Sequence, residues 1–184
     1  MNFDRVSQLD ETAEKRAKIL KLMKERGWGA VVLTKRHNFA WATGGSDNHV
    51  RHASVLGVAS LIFFLDGRRV VFTSNIEMPR IMDEELGGLG FEPIQYQWFS
   101  PKERWDALTS LLKNLKTASD DHTPGSDDIE PWLPGIRMRL SRHELMKYRW
   151  LGKTTGIGLG EACKKINRGH TEEEIAGFMF DALQ

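Results

Sequence analysis

Residues 28–45 read WGAVVLTKRHNFAWATGG, and the order of residue types in them decides the fold. Ala30, Val31, Val32 and Leu33 form a continuous apolar run with two β-branched members. A short run of this kind reads as a strand buried on both faces, in a sheet covered by helices. Residues 36–43 read as a short helical turn, with Phe39 and Trp41 as core residues, and Gly44-Gly45 as the loop that follows. The wider stretch 36–54, RHNFAWATGGSDNHVRHAS, is the densest in groups able to touch a ligand. Its nineteen residues hold His37, His49, His52, Arg36, Arg51, Asp47, Asn38 and Asn48.

Upstream, residues 10–26 carry a helical period. Ala13, Ala17, Leu20 and Met23, with Ile19 and Leu22 beside them, make the apolar face. Glu14, Lys15, Lys18, Lys21 and Lys24 are expected outside. Gly27 supplies the stop. Downstream, residues 55–65 and 69–74 are apolar segments joined by Asp66-Gly67, a strong hairpin signal. Residues 75–86 return to helical spacing, with Ile76, Ile81, Met82 and Leu86 on one side and Pro79 requiring the helix to start near it. Residues 91–98 read as another strand. Ser100-Pro101 opens a helix expected to turn Trp105, Leu108, Leu111, Leu112 and Leu115 inward.

Residues 117–135 mix Asp120, Asp121, Asp127, Asp128 and Glu130 with prolines and glycines, and read as a solvated surface loop. Their spacing fits no calcium-loop pattern. Ser141 to Glu144 form a capping box before a long helix whose face is marked by Leu145, Tyr148, Leu151, Thr155, Leu159, Ala162 and Ile166. Thr171 to Glu174 form a second box, before Ile175, Phe178, Met179 and Leu183. The sum is an α/β sandwich with a mixed sheet, because the hairpin forces an antiparallel pair.

Composition narrows the function classes. The chain has 184 residues, 28% charged and 40% hydrophobic, with net charge +1. No basic or acidic field points to nucleic acid or an anionic membrane. The single Cys163 excludes an intramolecular disulfide and fits a cytoplasmic setting. It reads as a helix-face packing residue. The polar N-terminus shows no signal peptide, and no apolar run is long enough to span a bilayer.

Local motifs supply no complete catalytic set. His143-Glu144-Leu145-Met146-Lys147 begins like a zinc-binding H-E-x-x-H, but Lys147 replaces the second imidazole. Gly156, Gly158 and Gly160 lie in a helical pattern, so they read as a close helix contact and not a phosphate loop. His49 and His52 are three apart, a metal-ligand spacing only on a helix; on a loop, Arg and His more often clamp a carboxylate or phosphate.

Two stretches resemble a known family. Residues 28–45, with the strand at 30–33 followed by Asn38, Phe39, Thr43 and Gly44, resemble the opening of the creatinase/prolidase/aminopeptidase P N-terminal domain. Residues 141–177, SRHELMKYRWLGKTTGIGLGEACKKINRGHTEEEIAG, resemble the family's linker helix and the first helices of its catalytic domain. There the R-x-G-x-T-E-x-E-I signature falls on Arg168, Gly169, Thr171, Glu172, Glu174 and Ile175. One departure is that Asn167-Arg168-Gly169 stands where the family's commoner form is Arg-Pro-Gly.

The resemblance implies a three-layer α/β/α sandwich with a mixed, ribonuclease H-like sheet over residues 1–140. Residues 141–184 would be the linker helix and first helices of a pita-bread catalytic domain. It implies a parent that is a metal-dependent Xaa-Pro dipeptidase or aminopeptidase, with two divalent ions (Mn, Co or Zn) held by two Asp, one His and two Glu beyond residue 184, activating a water for amide hydrolysis. This chain would hold none of them and would be inactive alone. It would form a homodimer and lend a loop to the neighbouring subunit's pocket for a small peptide. By position that loop is residues 44–52, an exposed arm in which Asp47, His49, Arg51 and His52 would contact substrate. The alternative is a non-enzymatic protein-interaction module of pita-bread type. A nuclease is disfavoured, since residues 30–33, 55–65 and 69–74 carry no Asp or Glu.

Overall fold

A computed structural model describes residues 5–51 and 53–183, which fall into two compact units, Met1–Arg139 and Leu140–Gln184.

The first unit is built on a six-stranded sheet of order β4-β3-β2-β1-β5-β6. The predicted apolar run is β1 (Ala30–Lys35), near its middle, flanked by antiparallel β2 (Leu56–Phe64) and parallel β5 (Thr117–Ser119). β2 pairs antiparallel with β3 (Arg69–Ser74), β3 parallel with β4 (Glu92–Tyr96), and β5 parallel with the short β6 (Asp127–Asp128). The β2–β3 turn closes as Asp66-Gly67 predicts. Gly67 takes φ +97°, its N–H donates to Phe64 O at 2.9 Å, and Asp66 Oδ1 accepts from Arg68 N. The positive φ favours glycine there.

Side chains alternate across the strands into two cores. Val31, Leu33, Leu61, Phe63 and Val71 face one side, with α1 (Arg5–Arg26), α2 (Arg36–Thr43), α3 (Met78–Arg80) and α5 (Leu133–Arg137). Val32, Ile62, Val70 and Phe72 face the other, against α4 (Pro101–Leu112). Helices on both faces make this the expected three-layer α/β/α sandwich.

Four sequence expectations change. Lys15 is not on the outside of α1: its side chain is 2% exposed and pairs with Glu11, 1% exposed, at 2.5 Å. The buried face of α1 is Glu11, Thr12, Lys15, Ile19, Leu22 and Met23, while Ala13 and Ala17 are exposed. A pattern reading assigns charges to water, and here the helix buries two that neutralise each other. The helix expected over 75–86 starts later, at Met78 with Pro79 in its first turn, and continues as a π-helical turn over Ile81–Glu85. This leaves Ile76 outside it and 59% exposed. On α4 only Leu108 is fully buried. Leu111 and Leu112 pack partly, and Trp105 is 41% exposed.

The fourth change is the largest. Residues 117–135 are not a solvated loop throughout. Thr117, Ala118 and Ser119 form a buried strand, followed by Asp120 at 0% exposure, and Ile129 and Leu133 join the core. Three small residues carry no visible strand period; their place comes from parallel pairing with β1.

The second unit is a helical pair, α6 (Arg142–Lys165) and α7 (Glu172–Leu183). The Ser141–Glu144 capping box forms as predicted, and Glu174 Oε2 accepts from Thr171 N at 2.8 Å. Among the glycines, Gly158 makes the close approach: a Cβ there would lie 2.6 Å from Ala182 O, whereas Gly156 and Gly160 face open space. Lys165 pairs with Asp181. The expected apolar face of α6 is buried only around Gly158 and Ala162. Leu145, Tyr148, Leu151 and Leu159 stay exposed, since the twelve residues of α7 cover only part of α6. Cys163 is exposed and not a packing residue. Among the described residues, no helix is long and apolar enough to cross a membrane.

Candidate functional site

The loop after α2 is built from its base outward. Thr43 ends the helix, and Gly44 turns the chain with φ +74°. Ser46 N donates to Thr43 Oγ1 at 3.1 Å, and Ser46 Oγ to Glu85 O at 2.8 Å. Asp47 N donates to Glu85 Oε2 at 2.7 Å, tying the loop to the π-helical turn. The α1 side chains support the same base. Gln8 Nε2 donates to Thr43 O at 2.9 Å, and the buried Lys15 ammonium lies 5.7 Å from the Trp41 ring.

Asn48 locks the loop into the sheet. The β1–β2 register breaks between Leu33 and Lys35, and Lys35 pairs with Leu56. Asn48 fills the gap, fully buried, its Nδ2 donating to Thr34 O at 3.3 Å and Ala59 O at 2.8 Å. Its backbone carbonyl accepts from Val58 N at 2.8 Å. The side chain thus replaces strand hydrogen bonds that the bulge removes. Gly57 is the residue that makes room: a Cβ there would lie 2.0 Å from Asn48 Nδ2. Gly57→Ala is therefore expected to expel Asn48 and destabilise the first unit by about 1–3 kcal/mol. Thermal unfolding with limited proteolysis of the loop checks this; an unchanged midpoint with an intact loop would remove Asn48 as the lock.

The reading of residues 44–52 as an exposed arm is corrected accordingly. Ser46 and Asn48 are buried, and Asp47 and His49 are half-buried. Asp47 and His49 are brought together: His49 Nδ1 contacts Asp47 Oδ2, and His49 N donates to Asp47 Oδ1 at 3.0 Å. Arg80 Nη2 reaches His49 O. Arg51 stands apart, exposed, with no hydrogen bond or ion pair from its guanidinium to any described residue. His52 lies outside the described residues. An open cleft beside the loop is lined by Arg36, His37, Ser46, Asp47 and Ser54. Burial, and then the Arg137 guanidinium, hold His37 below the usual histidine value.

A second polar cluster, missed in the sequence, holds the start of α2. Asp120, at the end of β5, accepts from Thr34 N at 2.7 Å, Lys35 N at 3.0 Å and Asn38 Nδ2 at 2.8 Å. Arg137 donates to Asn38 Oδ1, and Lys35 Nζ to Glu130 Oε1 at 3.0 Å. Burial pushes the Asp120 carboxyl above the usual Asp value. Its three hydrogen bonds oppose the rise, and neighbouring Asp121 adds to it. Burial of Asn38 and Phe39 follows from this anchoring. The only sequence signal was an Asp pair after a Thr-Ala-Ser run.

Among the described residues, no group of three or more His, Cys, Asp or Glu is placed to hold a metal ion. Glu144, in the motif that began like a zinc site, serves its helix cap.

The architecture matches solved structures closely. The prolidase from Pyrococcus furiosus aligns with TM-score 0.67 at 14% identity, over 91% of this chain and 51% of its own. Dipeptidase PepE from Mycobacterium ulcerans aligns with TM-score 0.71 at 14% identity, over 95% and 49%. A proline dipeptidase from Streptococcus pneumoniae aligns over 68% of this chain and 98% of its own, with TM-score 0.51 at 17% identity. The fold is that of the creatinase/prolidase N-terminal domain. No protein-family model matches the sequence, and no curated protein matches it. The chain spans about half the length of the Pyrococcus and Mycobacterium structures. Within the creatinase/prolidase N-terminal fold, Asn38, Thr43 and Gly44 are structural here. They anchor α2 and start the loop, and none is exposed.

Proposed function

We propose that this chain is the N-terminal part of an Xaa-Pro dipeptidase or aminopeptidase, and that it completes a substrate pocket without carrying the hydrolytic centre. Residues 141–184 are then the linker helix and first helices of a catalytic domain. Two divalent ions, Mn, Co or Zn, would be held by residues that follow. The chain would pair with a second copy and present its loop across the interface.

The observation that carries this reading is the division of the loop. Its base is fixed by Ser46, Asp47 and Asn48, and its tip offers an exposed guanidinium with no partner among the described residues. A charged donor held on a rigid base is what recognition of a peptide carboxylate or carbonyl needs. The half-buried Asp47–His49 pair would border the same pocket, with His52 beside Arg51 in sequence. The proline dipeptidases among its structural neighbours supply the substrate class.

In the longer polypeptide, Arg51→Ala is expected to raise KM for an Xaa-Pro dipeptide about tenfold or more, the loss of one charge-assisted hydrogen bond. Metal content should not change. Unaltered kcat and KM would end the proposal for Arg51. Light scattering across a concentration series tests the pairing, and a strict monomer would move the interface elsewhere.

A further inference from the structure

The face of the sheet that carries α4 changes character along its strands. On β1, β2 and β3 the inward positions run Val32 then Thr34, Ile62 then Ser60, and Phe72 then Ser74. The apolar member of each pair packs under α4, and the hydroxyl member lies beyond it. Ser60 interrupts the apolar run of β2 for this reason. These hydroxyls floor a cavity of about 370 Å³, walled by Tyr96, Trp98 and Ile76, with Arg104 of α4 on its lip. That volume is of the size that takes a small ligand.

Thr34 and Ser60 hydrogen-bond at 2.7 Å, Thr34 Oγ1 also donates to Asp121 Oδ2 at 3.0 Å, and Glu77 on the opposite lip is met by Arg80 at 3.4 Å. The other polar groups are unmatched. The Ser74 hydroxyl, the Tyr96 hydroxyl, the Trp98 indole N–H and the Arg104 guanidinium make no hydrogen bond to any described residue. Arg104 is half-buried and lies 5.9 Å from the Tyr96 ring centroid, a stacking contact that holds the guanidinium without using its N–H groups. The lining therefore offers unused donors, one of them cationic, beside two aromatic faces.

We propose that this cavity binds a small aromatic carboxylate, its ring against Tyr96 and Trp98 and its carboxylate on Arg104 with Ser74 below. The site is on the α4 face, and Gly57 and Val58 at its edge also meet Asn48 of the Arg51 loop. A planar anion suits it better than a cation, because the two carboxylates near it, Glu77 at the rim and Asp121 behind Thr34, already have partners. A concave floor of hydroxyls suits a small molecule better than a flat protein surface.

The test uses the 184-residue chain, with benzoate as probe and benzamide as its uncharged counterpart, followed by amide and indole N–H NMR shifts. Benzoate should produce saturable shifts at Trp98, Val58 and Ser74 in the millimolar range. Benzamide should bind about tenfold more weakly. Arg104→Gln, on the helix surface, should weaken benzoate about tenfold and leave benzamide unchanged, and Trp98→Ala should weaken both. Shifts elsewhere, no saturation, equal binding of the two probes, or benzoate binding untouched by Arg104→Gln would each overturn the assignment. The spectrum of each variant shows whether it is folded.

Discussion

Glu11→Ala is expected to lower the unfolding free energy of the first unit by about 3–5 kcal/mol, among the largest effects of any single substitution. The Lys15 ammonium that Glu11 meets is 2% exposed and 5.7 Å from the Trp41 ring. The substitution removes the carboxylate 2.5 Å from a charge that water barely reaches. Lys15→Met in the same chain should recover much of the loss, and the pair Glu11→Leu with Lys15→Met should come close to the parent or exceed it. Desolvating two charges offsets most of what their attraction returns. Urea unfolding followed by tryptophan fluorescence reads all four proteins. If Glu11→Ala costs no more than an exposed ion pair would, about 1 kcal/mol or less, water reaches the pair and its burial is refuted.

Asp120→Ala should cost about 3 kcal/mol or more, since it strands three donors: the Thr34 and Lys35 N–H groups and the Asn38 amide. Asp120→Asn should fall little short of this. An amide keeps one acceptor oxygen and turns its own N–H groups toward the remaining donors. The effect also depends on pH. The folded-state pKa is raised, so the folded protein holds this proton where the unfolded chain has released it. Stability contributed by Asp120 is thus fullest below the unfolded value near 3.8 and falls as pH rises through the folded value. The advantage of the parent over Asp120→Ala should shrink from acid toward neutral pH. An advantage that grows would mean that the three donors, and not burial, control the carboxyl.

These two groups also mark where the sequence stops being legible. β1, the Asp66-Gly67 hairpin and the capping box at Ser141 could be read because each is a local signal: a run, a turn dipeptide, a cap spacing. The three-layer class followed from their order. Lys15 and Asp120 could not be read, because single-residue chemistry assigns both to water. Their burial depends on partners contributed by tertiary packing, four residues away on a helix in one case and across the sheet in the other. The strand at Thr117 was hidden for the same reason, being three small residues whose only strand-like property is the neighbour they pair with. At the candidate site, Asp47, His49 and Arg51 were visible as types. The groups that hold the loop were not, because Glu85 and Asn48 act through backbone atoms of other elements, and the need for Gly57 appears only once Asn48 lies over it.

The split between a fixed base and exposed positions beyond it bears on how such a loop can change over generations. Positions 50, 51, 53 and 55 are exposed, and exchanges there should cost the fold no more than about 0.5 kcal/mol. Positions 46, 48 and 57 tolerate almost nothing, since each is part of the lock. A lineage could therefore retune what the tip meets one residue at a time, without first acquiring compensating stability. The aim of the loop would be inherited unchanged while its specificity drifts.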